Sequence, residues 1–187
     1  MYLRFFLRVL ISISFISFSQ NETKDINWHE RNILTWNDFK KVDNMPYGYG
    51  YAKANAFTRS GIKTSLGRYG DGYVVIKVTA YMGTNKSFVL RDYMSNYLLK
   101  HEQGHFNISE IFARKMRLRL KKAIINQIIF DNISDNIEKE LRNYQKLYDK
   151  ETNHSKNIEK QEEWDIKIAN ELKELEEYSN IYIKCLM

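Results

Sequence analysis

Apolar side chains recur every fourth residue along one stretch of the chain, and this spacing constrains the fold more than any other feature. The recurring residues are Phe112, Met116, Leu120, Ile124 and Ile128. Residues four apart share one face of an α-helix, so the pattern predicts an amphipathic helix whose apolar face is buried. The chain has only 8 glycines and 1 proline among 187 residues, which favours helices and argues against an all-β sandwich.

Polar residues around this stretch set the expected helix ends. Asn107 followed by Glu110 resembles a capping box, which predicts that one helix ends near Phe106 and another begins at Ile108. A break is expected at residues 131–135, with Ser134 as the N-cap. Further helices are predicted from about Ile137 to Lys150 and from Ile158 to Tyr178, with an interruption from Glu151 to Lys156.

One segment has the alternation of a β-strand, and it precedes the helices. In Tyr73–Met82, apolar residues alternate with a second set, and Gly70-Asp71-Gly72 before it is typical of a hairpin turn. Tyr49–Thr58 is a weaker candidate strand, and Gly61 and Gly67 indicate loops. The sequence therefore predicts an α+β fold, with a small antiparallel sheet followed by three or four helices.

The first residues have the layout of a secretory signal peptide. Arg4 and Arg8 precede a short apolar run from Val9 to Phe18, and small residues lie three and one before Gln20. We expect a signal peptide at residues 1–19 and one exported domain at residues 20–187, periplasmic or secreted, with no membrane span after cleavage. Loss of the two arginines lowers the net charge from +6 to +4, too little for a dedicated nucleic-acid binder. The single cysteine, Cys185, excludes an internal disulfide.

The segment His101-Glu102-Gln103-Gly104-His105 has the pattern H-E-x-x-H. On a helix both imidazoles lie on one face, one turn apart, so both can reach one zinc ion. Glu102 is offset by about 100° from His101. It would stand beside the metal, where a general base can take a proton from metal-bound water.

Catalytic zinc usually takes three protein ligands and a water, so the motif needs a third. His154 is our first candidate, because it lies in the expected interruption between two helices, where the chain can fold back onto the motif. Asp149 and Glu151 would then orient its ring from outside the metal shell. Glu110 is the alternative, but it reaches the same ion only if the helix bends near Gly104.

These residues predict a metallopeptidase acting on a peptide or protein substrate. Glu102 is expected to take a proton from water and pass it to the leaving amine. Tyr148, near His154, is our candidate for a donor that stabilises the oxyanion. The substrate is expected to add as a strand to Tyr73–Met82.

Two non-enzymatic interpretations stay open at this point. In the first, a zinc ion held by four protein groups, with Glu110 as the fourth ligand, only fixes the fold of an envelope protein. In the second interpretation the basic residues of the long helix bind a polyanion, although they more simply form its solvated side. These residues are Arg114, Lys115, Arg117, Arg119, Lys121 and Lys122.

Segments spread over most of the mature chain resemble one bacterial family. They are Leu34-Thr35-Trp36-x-Asp38-Phe39, Leu98–Phe106, Glu110 with Ala113-Arg114-Lys115, Tyr148-Asp149-x-Glu151-Thr152-x-His154, and Gln161-x-x-Trp164. The family is the secreted domain of unknown function 922, described as predicted zinc-dependent proteases. The resemblance implies a zincin-like domain with the motif on a central helix and with His101, Glu102, His105 and His154 at the site. The chain departs from the family pattern at Asn107, where the family tends to have Asp, and at Ser155, where it tends to have Gly.

Overall fold

A computed structural model describes residues 25–44, 46, 54–70 and 72–187 of the chain. The predicted signal peptide lies outside these residues, as do Asp71 in the expected hairpin turn and residues 49–53 of the weaker candidate strand. Within them, no helix is long and apolar enough to cross a membrane.

The described residues form an α+β fold, as the sequence predicts. In chain order the strands and helices are β1 (Asp25–Asn27), β2 (Lys40–Val42), β3 (Ala56–Phe57), β4 (Ser60–Gly70), β5 (Tyr73–Gly83), β6 (Phe88–Leu90), α1 (Asn96–Lys122), α2 (Gln127–Glu151), α3 (Ile158–Glu174) and β7 (Tyr182–Leu186). Short 3-10 helices occur at Trp36–Asp38, Thr84–Lys86, Arg91–Tyr93 and Glu176–Tyr178.

The larger sheet is antiparallel and is built around β5. Strand β4 pairs along one edge of β5, while β1 and β7 pair at opposite ends of its other edge. Strand β5 is confirmed, but its expected role in substrate binding is wrong, because neighbouring strands already occupy both of its edges. The smaller sheet has the order β2-β6-β3, with β2 parallel and β3 antiparallel to β6.

Strand β4 contains glycines that the sequence indicated as loops. Gly61 and Gly67 both lie inside it, and a Cβ atom added at Gly67 would lie 3.0 Å from the Val75 carbonyl oxygen. The register shifts between Leu66 and Tyr69, next to this position. The missing side chain therefore serves close approach within a paired and irregular strand.

The helix boundaries differ from those expected. Helix α1 runs without a break through Asn107, and α2 runs through residues 131–135, so both predicted interruptions are wrong. The chain breaks instead between Lys122 and Gln127, where Ile125 N donates to Leu186 O at 2.6 Å. Strand β7, which the periodicity did not reveal, thus fixes the link between the two helices. The interruption after Glu151 is confirmed.

Two apolar cores hold the site helix in place. The larger core lies between β5 and the three helices and includes Val78, Ile111 and Ile137, each fully buried. The second contains Met82 and Phe106, with Val89 of the small sheet. Because α1 packs against both cores, its first turns are held firmly on the side that carries the motif.

Candidate metal centre

Helix α1 presents the two histidines of the motif on one face. The helix begins after Ser95, whose hydroxyl accepts a hydrogen bond from Leu98 N at 3.1 Å. His101 and His105 follow one turn apart, with 3% and 12% of their side-chain surface exposed. The predicted placement of both rings on one side of a helix is confirmed.

Asp149, in the last turn of α2, contacts the imidazole rings of both His101 and His105. Its Oδ1 lies 3.3 Å from His101 Nε2 and 3.1 Å from His105 Nε2. One ligand atom from each of the three residues lies within 4.8 Å of the others, an arrangement that can hold a metal ion. We call His101, His105 and Asp149 the metal group.

Two glutamines determine which nitrogen of each histidine faces Asp149. Gln161 Oε1 lies 2.8 Å from His101 Nδ1, and Gln161 Nε2 donates to Asp165 Oδ1 at 2.8 Å. A carboxylate only accepts, so the amide orientation is fixed and His101 Nδ1 must be the donor. Gln145 holds His105 in the same way, because its Nε2 donates to the His105 carbonyl oxygen at 2.9 Å while its Oε1 accepts from Nδ1. Both Nε2 atoms are therefore left to bind a cation.

The negative charge of Asp149 favours a positive charge between the three residues of the metal group. Burial lowers the pKa of His105, but the nearby Asp149 carboxylate outweighs burial and raises that pKa to about 9. Burial alone would raise the pKa of Asp149, yet the His105 and His101 rings hold it well below its usual value. Two ring nitrogens directed at one carboxylate oxygen are stable when a proton or a metal ion lies between them.

Glu102 stands beside the metal group, as predicted. Its side chain is buried, with 2% of the residue exposed, and its Oε2 accepts a hydrogen bond from Thr58 Oγ1 at 2.7 Å. Thr58 follows β3, so the first half of the chain positions this carboxylate.

A cleft opens onto these groups. Its volume is about 310 Å³, and His101, Glu102, His105 and Asp149 all line it. One wall is the segment Ala54–Ser60, and the other is the face of α2 that carries Gln145 and Asp149. A small extended ligand can therefore approach the metal group and Glu102 together.

His154 lies next to the metal group. Its Nδ1 is 3.4 Å from Asp149 Oδ1, and its ring lines the cleft with 32% of the side chain exposed. The turn that carries it is unusual, because Asn153, His154 and Ser155 have φ values of 49°, 51° and 68°. Left-handed backbone is costly for residues other than glycine, so the fold holds this turn against local strain. The role of His154 as a ligand stays a prediction, while Asp149, expected only to orient it, contacts both motif histidines.

Tyr148 is not placed to stabilise an oxyanion in the cleft. It is fully buried, its hydroxyl donates to the His101 carbonyl oxygen at 3.1 Å, and Gln161 Nε2 donates to that hydroxyl at 2.6 Å. Burial raises the pKa of Tyr148 well above its ordinary value. The ring stacks on His101 with centroids 4.6 Å apart, so Tyr148 supports the His101 imidazole from the side away from the cleft.

Gly104 makes this support possible. A Cβ atom at position 104 would lie 2.7 Å from Tyr148 Cζ. The glycine inside the motif therefore admits the tyrosine ring of α2.

Glu110, the alternative third ligand, is occupied elsewhere. Its Oε1 accepts hydrogen bonds from Arg114 Nε at 3.0 Å and from Arg117 Nη1 at 2.8 Å. Both arginines are buried, so the interpretation of the basic run as a solvated face is wrong at these two positions. Lys115, Arg119 and Lys121 form ion pairs with Glu171, Glu140 and Glu177. We call Glu110, Arg114 and Arg117 the arginine cluster.

Asn107, one of the departures from the family pattern, has a clear structural role. Its Oδ1 accepts hydrogen bonds from Trp28 Nε1 at 3.0 Å and from Gln103 Nε2 at 2.9 Å. Gln103 also accepts a hydrogen bond from Leu34 N at 2.8 Å. The oxygen at position 107 thus ties the segment after β1 to α1, a task that an amide oxygen performs as a carboxylate would.

Sequence reasoning missed Asp149 as a member of the metal group and both supporting glutamines. A signal for two of them was present, because Leu141, Gln145 and Asp149 recur every four residues and so share one face of α2. Gln161 occurs in the Gln161-x-x-Trp164 segment of the resemblance, but nothing in the sequence assigned it a role at the site.

No protein-family model, no curated protein and no solved structure matches the chain. The resemblance to the secreted zinc-dependent family therefore stays a prediction, and we infer the function from the geometry of the site.

Proposed function

We propose that the protein is a zinc-dependent metallopeptidase in which His101, His105 and Asp149 hold the ion and Glu102 is the general base. One observation carries the proposal: two histidine Nε2 atoms and one carboxylate oxygen converge beside a second buried carboxylate at the base of an open cleft.

The donor set suits zinc. Two imidazoles and one carboxylate are among the combinations found in catalytic zinc sites, which keep a fourth position for water. Ligands about 2.0–2.1 Å from a tetrahedral ion lie about 3.3–3.4 Å from one another. The separations of 3.3 Å and 3.1 Å between Asp149 Oδ1 and the two Nε2 atoms are close to this value.

Each protein group near the proposed ion has a separate role. When bound, zinc would lower the pKa of a coordinated water and polarise a substrate carbonyl. Thr58 binds Oε2 of Glu102, so Oε1 is the oxygen left to accept a proton from water and return it to the leaving nitrogen. Gln145 and Gln161 keep both imidazoles in the tautomer that binds metal.

The substrate is an extended peptide lying in the cleft between Ala54–Ser60 and α2. This path replaces the expected addition to β5, whose edges are both paired. With the predicted signal peptide, the substrates would be peptides or proteins outside the cytoplasm.

Hydrolysis of an unstructured labelled protein such as casein tests the proposal. Wild-type protein loaded with zinc is expected to cleave it, a chelator should stop cleavage, and added zinc should restore it. Glu102→Ala should keep its zinc and lose activity by a factor of about 10²–10⁴. Full activity in that variant, with its metal retained, would show that the general base is another group.

A second candidate is a non-catalytic protein whose metal only stabilises the fold. The observation in its favour is His154, whose Nδ1 lies 3.4 Å from Asp149 Oδ1, a distance typical of two ligands on one ion. Four protein ligands would leave no position for water. His154→Ala separates the two: a structural site should lose most of its zinc and its stability, whereas a three-ligand catalytic site should keep both.

A further inference from the structure

Cationic side chains surround the cleft on both walls. Arg142 and Lys146 line it from α2, and Arg59 lines it from the opposite segment. All three are exposed. They stand apart from the buried arginine cluster and from the histidines of the metal group.

These cations are not neutralised by acids of the cleft. Among the described residues that line it, the carboxylates are Glu102 and Asp149, which contact Thr58 and the motif histidines. Arg142 has one exposed partner, Glu138, at 3.2 Å. Neither Arg59 nor Lys146 forms an ion pair within the described part of the chain. Three cationic side chains therefore line the cleft against two carboxylates, an excess of one positive charge.

The spacing of Arg142 and Lys146 along α2 sets their distances from Asp149. Lys146 precedes Asp149 by one turn and Arg142 precedes it by two, which corresponds to about 4.5 Å and about 10.5 Å along the helix axis. An extended peptide advances about 3.3 Å per residue. For a peptide that runs along α2, Lys146 thus lies level with a residue one or two positions from the scissile bond, and Arg142 level with a residue about three positions away.

We propose that Arg59, Arg142 and Lys146 form a carboxylate-binding subsite that selects acidic peptides. This inference rests on the proposed peptidase function, since the register is counted from the metal group. The shared chemistry is a carboxylate, supplied either by Asp and Glu side chains or by a free peptide carboxy terminus.

Cleavage of matched fluorogenic peptides tests the subsite. The peptides share a neutral centre and are flanked by acidic, neutral or basic residues; a further neutral pair has a free or an amidated carboxy terminus. We expect kcat/KM at low salt to be about tenfold higher for the acidic than for the basic peptide, with the difference shrinking as salt rises. Preference for the free over the amidated terminus would identify the terminal carboxylate as the source, and equal cleavage of that pair would identify the side chains.

Charge reversal supplies the matched control. Lys146→Glu should reduce the acidic preference about fivefold with zinc content unchanged, and Arg142→Gln should reduce it less because only attraction is lost. Lys122→Glu changes the net charge equally, but its residue lies at the far end of α1, about 25 Å along the axis from His105, and should leave the preference intact. Equal cleavage of all peptides, or equal effects of the two lysine variants, would overturn the subsite while leaving the peptidase in place.

Binding separates failure of the subsite from failure of the proposed function. The same peptides are titrated against zinc-loaded Glu102→Gln by fluorescence anisotropy. If wild type cleaves nothing, the peptidase proposal fails, and tighter binding of the acidic peptide would still support the subsite. Tighter binding of a single-stranded oligonucleotide than of any acidic peptide would overturn it in favour of a polyanion surface.

Discussion

Helix α1 carries two buried glutamates, Glu102 and Glu110, whose surroundings differ. In the arginine cluster, Glu110 is 1% exposed and is bound by two guanidinium groups. Beside the metal group, Glu102 is 2% exposed and has one hydroxyl partner, Thr58. The two glutamates are eight residues apart on the same helix.

The difference lies in charge compensation and in access. Arg117 also donates to the carbonyl oxygens of Val78 and Tyr178, so the arginine cluster ties α1 to β5 and to the segment before β7. The metal group directs lone pairs at one point, and a cleft reaches it. A buried carboxylate whose partners are complete holds the fold together, whereas one with few partners beside a cleft can exchange protons with a ligand.

The largest expected effects come from the same change at the two glutamates. Glu110→Gln should lower the free energy of unfolding by about 3–5 kcal/mol, because two buried guanidinium groups lose their anion. Glu102→Gln should change it by less than about 1 kcal/mol, since a threonine hydroxyl can bond an amide as well. Urea denaturation of the zinc-loaded proteins measures both. Equal losses would mean that both glutamates are structural.

A second test concerns the support behind the metal group. Gln161→Leu removes the acceptor for His101 Nδ1, so we expect zinc affinity to fall by about 10–100-fold. Gln127→Leu, at the exposed start of α2, is the control and should keep wild-type affinity. Competition with a chromophoric chelator gives the dissociation constants. Unchanged zinc affinity in Gln161→Leu would show that Gln161 does not support zinc binding.

Gly104→Ala tests whether the close packing of Tyr148 against the motif contributes to stability. Alanine in a helix interior normally stabilises by about 1 kcal/mol relative to glycine. Here the added methyl group meets the Tyr148 ring, so we expect a loss of about 1–3 kcal/mol instead. Gly70→Ala, where an added Cβ has open space, is the control. A stabilised Gly104→Ala variant in thermal unfolding would show that the ring moves away freely.

A further expected effect is a dependence of stability on pH in the metal-free protein. The pKa of His105 is raised from 6.5 to about 9, so its ion pair with Asp149 stabilises fully below pH 6.5 and is lost as pH rises through 9. The pKa of Asp149 is lowered from 3.8, so its contribution is present above pH 3.8 and is lost at more acidic pH. Thermal unfolding of the metal-free protein should show this contribution at its maximum between these limits.

Zinc should reverse the alkaline part of this profile. Metal competes with the His105 proton, so the stabilisation gained on adding zinc should grow between pH 6.5 and 9. Asp149→Asn, which removes the anion, should flatten both curves. A wild-type profile as flat as that of the variant would contradict the placement of His105 against Asp149.

Local patterns predicted the parts of the fold that local chemistry determines. Strand β5 and the turn after Glu151 follow from alternation and from loss of periodicity. The end of α1 and the start of α2 do not follow from local patterns, because the link between them is fixed by β7, whose Leu186 lies 61 residues after Ile125. Tertiary pairing of this kind leaves no periodic trace in the helices.

In the site too, local patterns predicted the residues of one helix but not those that other helices contribute. His101, Glu102 and His105 follow from helical spacing alone. Asp149 and Gln161 come from other helices, and their contribution depends on how α1, α2 and α3 pack together. Tyr148 was assigned to the cleft by its closeness to His154 in sequence, yet the helical turn directs it behind His101.

X-ray diffraction from zinc-loaded crystals, with anomalous data at the zinc edge, would locate the ion and the atoms that bind it. We predict one peak about 2.0–2.1 Å from His101 Nε2, His105 Nε2 and an oxygen of Asp149, with a water in the remaining position beside Glu102. A peak away from these three atoms, or an ion enclosed by four protein ligands with no water, would show that the metal group is not a catalytic zinc site.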